Sequence, residues 1–298
     1  MNSKRLLYIA GPTASGKTSL AIALAQHYDT EIISCDSRQF YKEMSIGTAV
    51  PSPKELAAAP HHFIQQRSIH EPYSIGSFQR EAMECLQTLF KTKDTLILVG
   101  GSGLYADALL EGLDDFPEVD PAFRDQLNKQ LQEEGIEALV ALLKTVDPVY
   151  HQKVDLGNPH RLIRALEVCL SSGQPYSSFL GNKKDPTFFK TQKIVIQWDR
   201  PILYDRINLR VDQMVVSGLE AEARSLYPSK DVNALQTVGY REWFSHFDTI
   251  LDRKTTLEEI KKNTRRYAKR QMTWFKRYQD ALWIPGGCSV EDVLKRLD

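Results

Sequence analysis

The chain has 298 residues, of which 42% are hydrophobic and 26% are charged, and its 38 basic and 38 acidic side chains cancel. These values are typical of a soluble globular protein of one or two domains, and the net charge gives no sign of nucleic-acid binding. A membrane-spanning helix is not expected, because no apolar run approaches the roughly 20 residues that it needs. The first predicted strand begins too early to leave room for a signal peptide, so we expect a cytoplasmic protein. The four cysteines are too widely spaced for a zinc or redox motif and are expected to be reduced.

The first motif joins a predicted strand to a predicted helix. The apolar run 6–10 is typical of a buried strand, and residues 15–25 are typical of a helix. Between them, Gly11-Pro-Thr-Ala-Ser-Gly-Lys-Thr18 fits the phosphate-binding P-loop. The pattern predicts that backbone N–H groups and the helix N-terminus hold an anion, that Lys17 holds its terminal phosphate, and that the Thr18 hydroxyl binds Mg²⁺. It does not identify the molecule that carries the phosphate.

Further strand–turn–helix units follow. Residues 31–35 and 95–99 predict strands, and residues 74–91 have helical periodicity. A loop punctuated by Gly47 and Pro51 precedes that helix, and Gly100-Gly-Ser-Gly-Leu-Tyr105 turns from the third strand into another helix. Three such units in about 110 residues predict an α/β fold, with a P-loop NTPase-like parallel sheet covered by helices.

The pattern changes near Phe116. Helical segments then follow without a strand, at 121–134, 136–145 and 159–172. A loop is predicted at 182–186, and a strand returns at 193–198. We therefore interpret 117–190 as a helical insertion domain in an α/β core made of 1–116 and 191–298. The C-terminal part of the core is predicted to contain long helices at 201–226 and 256–278, a strand at 281–284 and a terminal helix.

Asp36 ends the second predicted strand, so it is expected at the carboxyl edge of the sheet, where such folds bind ligands. Three interpretations are open from the residues alone. Its carboxylate binds Mg²⁺, acts as a general base toward a second substrate, or caps a following helix.

Ser102 and two pairs of arginines are further candidates, and each has one functional and one purely structural interpretation. Ser102 follows another strand and can face the same edge, although its glycine-rich context also fits a plain tight turn. Two arginine pairs share a helical face and could hold phosphate or lie on a solvated surface: Arg161 with Arg164, and Arg206 with Arg210.

Residues 261–277 contain eight basic and no acidic side chains, with aromatic residues interleaved. If the segment is helical, Lys261, Arg265, Lys269 and Arg277 lie along one face. Cations and aromatic rings in this arrangement indicate RNA binding, in which the cations contact phosphates and the rings stack on bases. The aromatic rings could instead form the core face of the helix.

Together these segments resemble the bacterial tRNA dimethylallyltransferases, also called tRNA isopentenyltransferases. The similar blocks run in order from about residue 11 to 276: the P-loop, Ile33-Ser-Cys-Asp-Ser37, Gln39-Phe-Tyr-Lys42, Ile46-Gly-Thr-Ala49, Ala59-Pro-His-His62, Val99-Gly-Gly-Ser-Gly-Leu-Tyr105, Arg161-Leu-Ile-Arg-Ala-Leu-Glu-Val168, Val238-Gly-Tyr-Arg241 and Lys269-Arg-Gln-Met-Thr-Trp274.

The resemblance implies transfer of the dimethylallyl group of dimethylallyl diphosphate to N6 of adenosine 37, in tRNAs that read codons beginning with U. Asp36 then matches the general base. Lys17, Mg²⁺-bound Thr18, Ser102 and Arg210 are the other implied catalytic residues. The implied diphosphate site comprises Gly11, Pro12, Thr13, Ala14, Ser15, Gly16, Lys17, Thr18 and Arg210.

The resemblance also implies contacts with the tRNA anticodon stem-loop, and the helical insertion is expected to grip it. The implied contact residues are Asp36, Ser37, Arg38, Gln39, Ser102, Arg124, His160, Arg161, Leu162, Ile163, Arg164, Gln236, Thr237, Val238, Gly239, Tyr240, Arg241, Lys269, Arg270, Gln271, Met272, Thr273, Trp274, Phe275 and Lys276. A monomer is expected. An ATP-dependent small-molecule kinase and a non-catalytic tRNA-binding paralogue are the alternatives.

Overall fold

The structure is a computed structural model that describes residues 4–182 and 188–297. Apart from Asn182, the loop predicted at 182–186 lies outside the described residues. The described chain divides into two compact units. The first contains the residues up to Leu110 and those from Phe188 onward, and the second runs from Glu111 to Asn182.

A six-stranded parallel sheet forms the centre of the first unit, in the order β3-β2-β4-β1-β5-β6. Its strands are β1 Arg5–Ala10, β2 Ile32–Ser34, β3 His61–His62, β4 Thr95–Val99, β5 Lys190–Gln197 and β6 Leu282–Pro285. Because the strands are parallel, the loops that follow β1, β2 and β4 all leave from one edge of the sheet. These loops carry the P-loop, Asp36 and the Gly100–Gly103 turn.

The described helices, in chain order, are α1 Lys17–His27, α2 Pro53–Ala58, α3 Ile75–Leu89, α4 Gly103–Leu110, α5 Pro121–Glu134, α6 Ile136–Val146, α7 Pro148–His151, α8 Pro159–Ser172, α9 Arg200–Val216, α10 Leu219–Leu226, α11 Tyr240–Phe247, α12 Arg253–Phe275 and α13 Val290–Leu297. No helix among these described residues is both long and apolar enough to cross a membrane.

Helices cover both faces of the sheet, which explains why its strands are continuously apolar rather than alternating. Leu6 and Tyr8 of β1 point into one hydrophobic core, which α3, α4 and α12 help to form. Leu7 and Ile9 point into a second core on the opposite face, against α1 and α13. The predicted α/β fold with a parallel, helix-covered sheet is therefore confirmed.

Several element boundaries differ from the prediction. The helix predicted at 201–226 is two helices, α9 and α10, because Gly218 adopts a left-handed φ of 102° between them. The predicted loop before α3 contains α2 and the short strand β3. A capping box starts α2, since the Ser52 side chain accepts the Glu55 N–H and Glu55 accepts the Ser52 N–H. Helix α11 was not predicted.

The second unit is helical. Helices α5, α6 and α8 enclose a core of buried leucines that includes Leu127, Leu139 and Leu162. A buried carboxylate organises part of its polar contacts. Asp147, fully buried, accepts hydrogen bonds from Tyr150 and Ser177.

Candidate functional site

The P-loop has the strand–loop–helix context that its sequence predicts. Gly16 caps α1 with a left-handed φ of 94°, and Gly11 has a φ of 154°. A side chain at Gly11 would also collide, because its Cβ would lie 2.9 Å from Ser15 Oγ. The Lys17 ammonium donates a hydrogen bond to the Pro12 carbonyl at 2.7 Å, across the loop. The loop therefore has the curled form in which successive N–H groups can hold an anion.

A cavity of about 450 Å³ lies in the first unit, where the loops leave the sheet. Its lining includes Lys17 and Thr18 from α1, Asp36 after β2, and Arg210 from α9. The other predicted residues in its lining are Thr13, Ser37, Arg38, Gln39, Gln236, Thr237, Val238, Gly239, Arg241, Arg270 and Gln271. Apolar side chains also line it: Ile207, Val211, Met214, Leu219 and Ile260. Charged and apolar walls thus share one cavity.

Two cations of the cavity, Lys17 and Arg210, are partly buried. Burial lowers the pKa of Lys17 to about 8; the Asp36 carboxylate opposes this shift and Arg210 adds to it. Burial also lowers the pKa of Arg210, against the effect of Asp36. Asp36 is therefore close enough to interact with both cations. Such partly buried positive charges attract an anion more strongly than exposed ones, because water screens them less.

The Asp36 carboxylate accepts the Arg38 N–H at 3.1 Å within a turn, and no helix begins among the described residues 36–41. The interpretation of Asp36 as a helix cap is therefore wrong. Ser102 lies beside this turn, since its Oγ accepts the Ser37 N–H and pairs with Ser37 Oγ, both at 3.1 Å. The Tyr267 hydroxyl also interacts with Ser102.

The glycines around Ser102 leave room for neighbouring residues that pack closely against the turn. A Cβ on Gly100 would lie 2.5 Å from Cys35 Sγ. A Cβ on Gly103 would lie 2.2 Å from the Trp274 ring. The turn therefore packs directly against β2 on one side and α12 on the other, which the plain tight-turn interpretation did not foresee.

The arginines of α9 have different positions. Arg210 lines the cavity, whereas Arg206 donates from Nε to the Ala14 carbonyl at 2.9 Å. The Arg206 guanidinium lies 4.5 Å from the centre of a Trp198 ring, and Trp198 in turn donates to the Ser15 carbonyl. Arg206 and Trp198 thus hold the P-loop through its carbonyls. Sequence reasoning missed Trp198, which has no motif of its own.

The predicted basic helix is α12. Arg266, Lys269, Arg270 and Thr273 line a shallow pocket on its surface, and their side chains are exposed. Phe275 is fully buried in the core, so its ring supports the helix from within. Lys276 is exposed, and Met272 and Trp274 are partly buried. The alternative interpretation, a core face made of aromatic residues, is thus correct for Phe275. Tyr278, which follows the end of α12, is also buried in the core.

Some basic residues of this segment are engaged within the protein. Lys261 pairs with Asp212 at 2.8 Å, and Arg277 pairs with Asp107 at 2.8 Å. The cationic surface of α12 is consequently concentrated around Arg266, Lys269 and Arg270.

The predicted tRNA-contact residues of the second unit differ in how exposed their side chains are. Glu167, only 2% exposed, accepts a bidentate pair of bonds from Arg124 and one from Arg164. Leu162 and Ile163 are buried, whereas His160 and Arg161 have exposed side chains. Arg124 also keeps 55% of its side chain exposed, so Arg124, His160 and Arg161 all present polar atoms to the surface.

Glu222 was also missed by sequence reasoning. Its carboxylate accepts the N–H groups of Ser45, Ile46 and Gly47 and the Tyr240 hydroxyl, at 2.7–3.1 Å. Since Gly47 lines the cavity and Tyr240 belongs to the predicted 236–241 segment, this one carboxylate fixes two cavity walls.

Replacing Gly47 by alanine is expected to destabilise the protein by about 1–3 kcal/mol, because the added Cβ would lie 2.5 Å from the Tyr240 ring. Denaturant unfolding measures the change. Gly76→Ala in α3 is the control, since its Cβ would meet nothing closer than 3.6 Å and should stabilise the helix. Equal stability of the two variants would contradict the packing at Gly47.

Comparisons with known proteins show which family the chain resembles over most of its length. A family model described as IPP transferase matches residues 39–278. The chain is 56% identical to a tRNA dimethylallyltransferase of Christiangramia forsetii, over 95% of this chain and 93% of that protein. It is 54% identical to a tRNA dimethylallyltransferase of Flavobacterium johnsoniae, over 98% and 96% of the two chains.

Solved structures are similar over nearly the whole chain. A full-length tRNA isopentenylpyrophosphate transferase from Bacillus halodurans matches with a TM-score of 0.72 and 33% identity, over 99% of this chain and 94% of the other. A eukaryotic dimethylallyltransferase acting on tRNA matches with a TM-score of 0.79 and 26% identity, over 95% and 74%.

Proposed function

The chain belongs to the IPP transferase family, and we infer that it is a tRNA dimethylallyltransferase. We propose dimethylallyl diphosphate as the donor and N6 of adenosine 37, in tRNAs that read codons beginning with U, as the acceptor. One observation carries this assignment: the P-loop, Asp36 and Arg210 line the same cavity, which α12 also lines through Arg270 and Gln271.

In the proposed complex, the P-loop holds the diphosphate and the apolar lining accommodates the dimethylallyl group. The adenine N6 nitrogen attacks the allylic carbon while the bond between that carbon and the diphosphate oxygen breaks. Negative charge grows on the departing diphosphate, where Lys17 and Arg210 stabilise it. Asp36 accepts the proton that N6 loses. The products are dimethylallyladenosine and free diphosphate.

We propose that Mg²⁺ assists by neutralising charge on the diphosphate oxygens. The donors fit this ion, because the Thr18 hydroxyl lines the cavity and Mg²⁺ in phosphate sites takes few protein ligands beside phosphate and water. No cluster of three or more His, Cys, Asp or Glu side chains suited to a metal occurs among the described residues, in keeping with such a sparse site.

The acceptor adenine has to leave its stack to enter the cavity, which costs a few kcal/mol and is cheapest in a loop. We propose that exposed cations of α12, with His160 and Arg161 of the second unit, bind the anticodon stem-loop. We further propose that the enzyme acts as a monomer in the cytoplasm, where its tRNA substrate is found.

The test mixes the protein, Mg²⁺, labelled dimethylallyl diphosphate and an anticodon stem-loop with the sequence A36-A37-A38. We expect label on the RNA, and none when guanosine replaces adenosine 37. Binding of the stem-loop without any transfer would favour the non-catalytic paralogue. ATP turnover without RNA binding would favour the kinase.

Diphosphate binding should depend on pH through Lys17. An anion binds the protonated amine better, so affinity is expected to be highest below the pKa of about 8 and to fall as the pH rises above it. The dissociation constant of pyrophosphate should therefore be about tenfold larger at pH 9 than at pH 7. Calorimetry at both pH values measures it. The Lys17→Arg variant stays charged over this pH range, so its affinity for pyrophosphate should not fall between pH 7 and pH 9. Equal affinities of the unmodified protein at the two pH values would contradict the lowered pKa of Lys17.

A further inference from the structure

Gln271 projects from the inner face of α12 and is only 6% exposed. Both ends of its side-chain amide are engaged. Its Oε1 accepts the Thr13 N–H at 2.8 Å, and its Nε2 donates to the Gly101 carbonyl at 2.9 Å. The amide therefore links the P-loop to the turn that carries Ser102.

These two loops follow neighbouring strands. The pairing of β1 with β4 ends near the Gly100 N–H, which donates to the Ile9 carbonyl at 3.4 Å. Gln271 bridges the chains just beyond that point. The absence of a side chain at Gly101 leaves room for this bridge, because a Cβ there would lie 2.2 Å from Gln271 Nε2. Glycine is needed at Gly101 to admit the amide.

The P-loop needs such support because part of its backbone is strained. Ala14 has a left-handed φ of 62°, which is unfavourable for a residue with a Cβ. Such strain persists only where the surroundings hold it. Three contacts surround it: Gln271 on the Thr13 N–H, Arg206 on the Ala14 carbonyl and Trp198 on the Ser15 carbonyl.

We propose that Gln271 is a positioning residue that sets the affinity for the diphosphate, and that it is not an RNA contact. It fixes the P-loop at Thr13 so that the N–H groups that follow are already aimed at the anion. Preorganised donors bind better because the cost of ordering them is met before the ligand arrives. The choice of ligand rests on the proposed function, but the bridge itself does not.

The test measures two affinities separately at pH 7 with Mg²⁺: pyrophosphate by calorimetry, and the anticodon stem-loop by fluorescence anisotropy. Gln271→Met keeps the length of the side chain and removes both hydrogen bonds. We expect the dissociation constant of pyrophosphate to rise about tenfold, the loss of roughly one hydrogen bond's free energy, with that of the stem-loop unchanged within about twofold.

Lys269→Gln is the matched control, since Lys269 is exposed on the same helix. It should weaken stem-loop binding and leave pyrophosphate binding unchanged. Gln271→Glu keeps an acceptor for the Thr13 N–H and places a second oxygen against the Gly101 carbonyl, so it should also weaken pyrophosphate binding if the methionine variant does not fold.

Weaker stem-loop binding with normal pyrophosphate binding in the Gln271 variants would overturn the proposal, as would no change in either affinity. Because neither measurement requires turnover, a failure of the proposed prenyl transfer would leave these outcomes readable.

Discussion

Asp36→Asn is expected to lower kcat for prenyl transfer by about 10²–10⁴-fold, the usual contribution of a general base. Asparagine keeps the shape of the side chain and an oxygen that can accept the Arg38 N–H, so the turn should persist. It cannot accept the proton that N6 loses. Single-turnover transfer of label to the stem-loop isolates this chemical step from product release.

Pyrophosphate binding is the companion measurement for Asp36→Asn. Removing the carboxylate removes a charge that repels the anion, but it also lowers the pKa of Lys17, so the two effects oppose each other and pyrophosphate affinity at pH 7 should change little. A loss of kcat with intact pyrophosphate binding would support the base. A variant that transfers label at the normal rate would remove Asp36 from this role, and a loss of pyrophosphate binding would favour the Mg²⁺-ligand interpretation.

Arg210→Gln is expected to lower kcat/KM by about 10²–10³-fold, because the enzyme loses one of the two partly buried cations that the proposed mechanism places at the departing diphosphate. A partly buried cation stabilises developing charge strongly, because water screens the interaction little there. Water that takes the place of the lost guanidinium therefore compensates poorly for it. Steady-state kinetics with dimethylallyl diphosphate as the varied substrate measures the effect.

Arg206→Gln, one helical turn away, provides the comparison. Arg206 braces the Ala14 carbonyl without lining the cavity, so its loss should reduce kcat/KM by less than about tenfold, mainly through KM. An equal loss in the two variants would contradict the separate positions of these arginines. Thermal unfolding of both variants controls for a general loss of structure.

Local pattern was sufficient for the P-loop region and for several regular elements elsewhere in the chain. One continuous stretch of sequence contains the apolar run, the P-loop glycines and the following helix. Their conformations could therefore be predicted from neighbouring residues alone. Strand β4 and helices α5 and α8 begin and end at the predicted residues. The break at Gly218 and the capping box at Ser52 were also readable from local signals, although the prediction passed over both.

By itself, the sequence determined the α/β class, the anion-binding loop and the placement of Asp36 at the same sheet edge, because parallel strands bring their carboxyl ends together. The resemblance singled out Arg210, but only the tertiary structure shows that Arg206 holds the P-loop instead of lining the cavity, since two residues on one turn of a helix have the same local pattern. The tertiary structure alone revealed the bridge made by Gln271, which the resemblance had placed among the tRNA contacts and whose partner Thr13 lies 258 residues away in the chain. It also revealed Glu222, about 175 residues from the loop that it holds. A single hydrogen bond between such distant residues leaves no periodicity or spacing in the sequence, because it arises only when the folded core brings their backbones together.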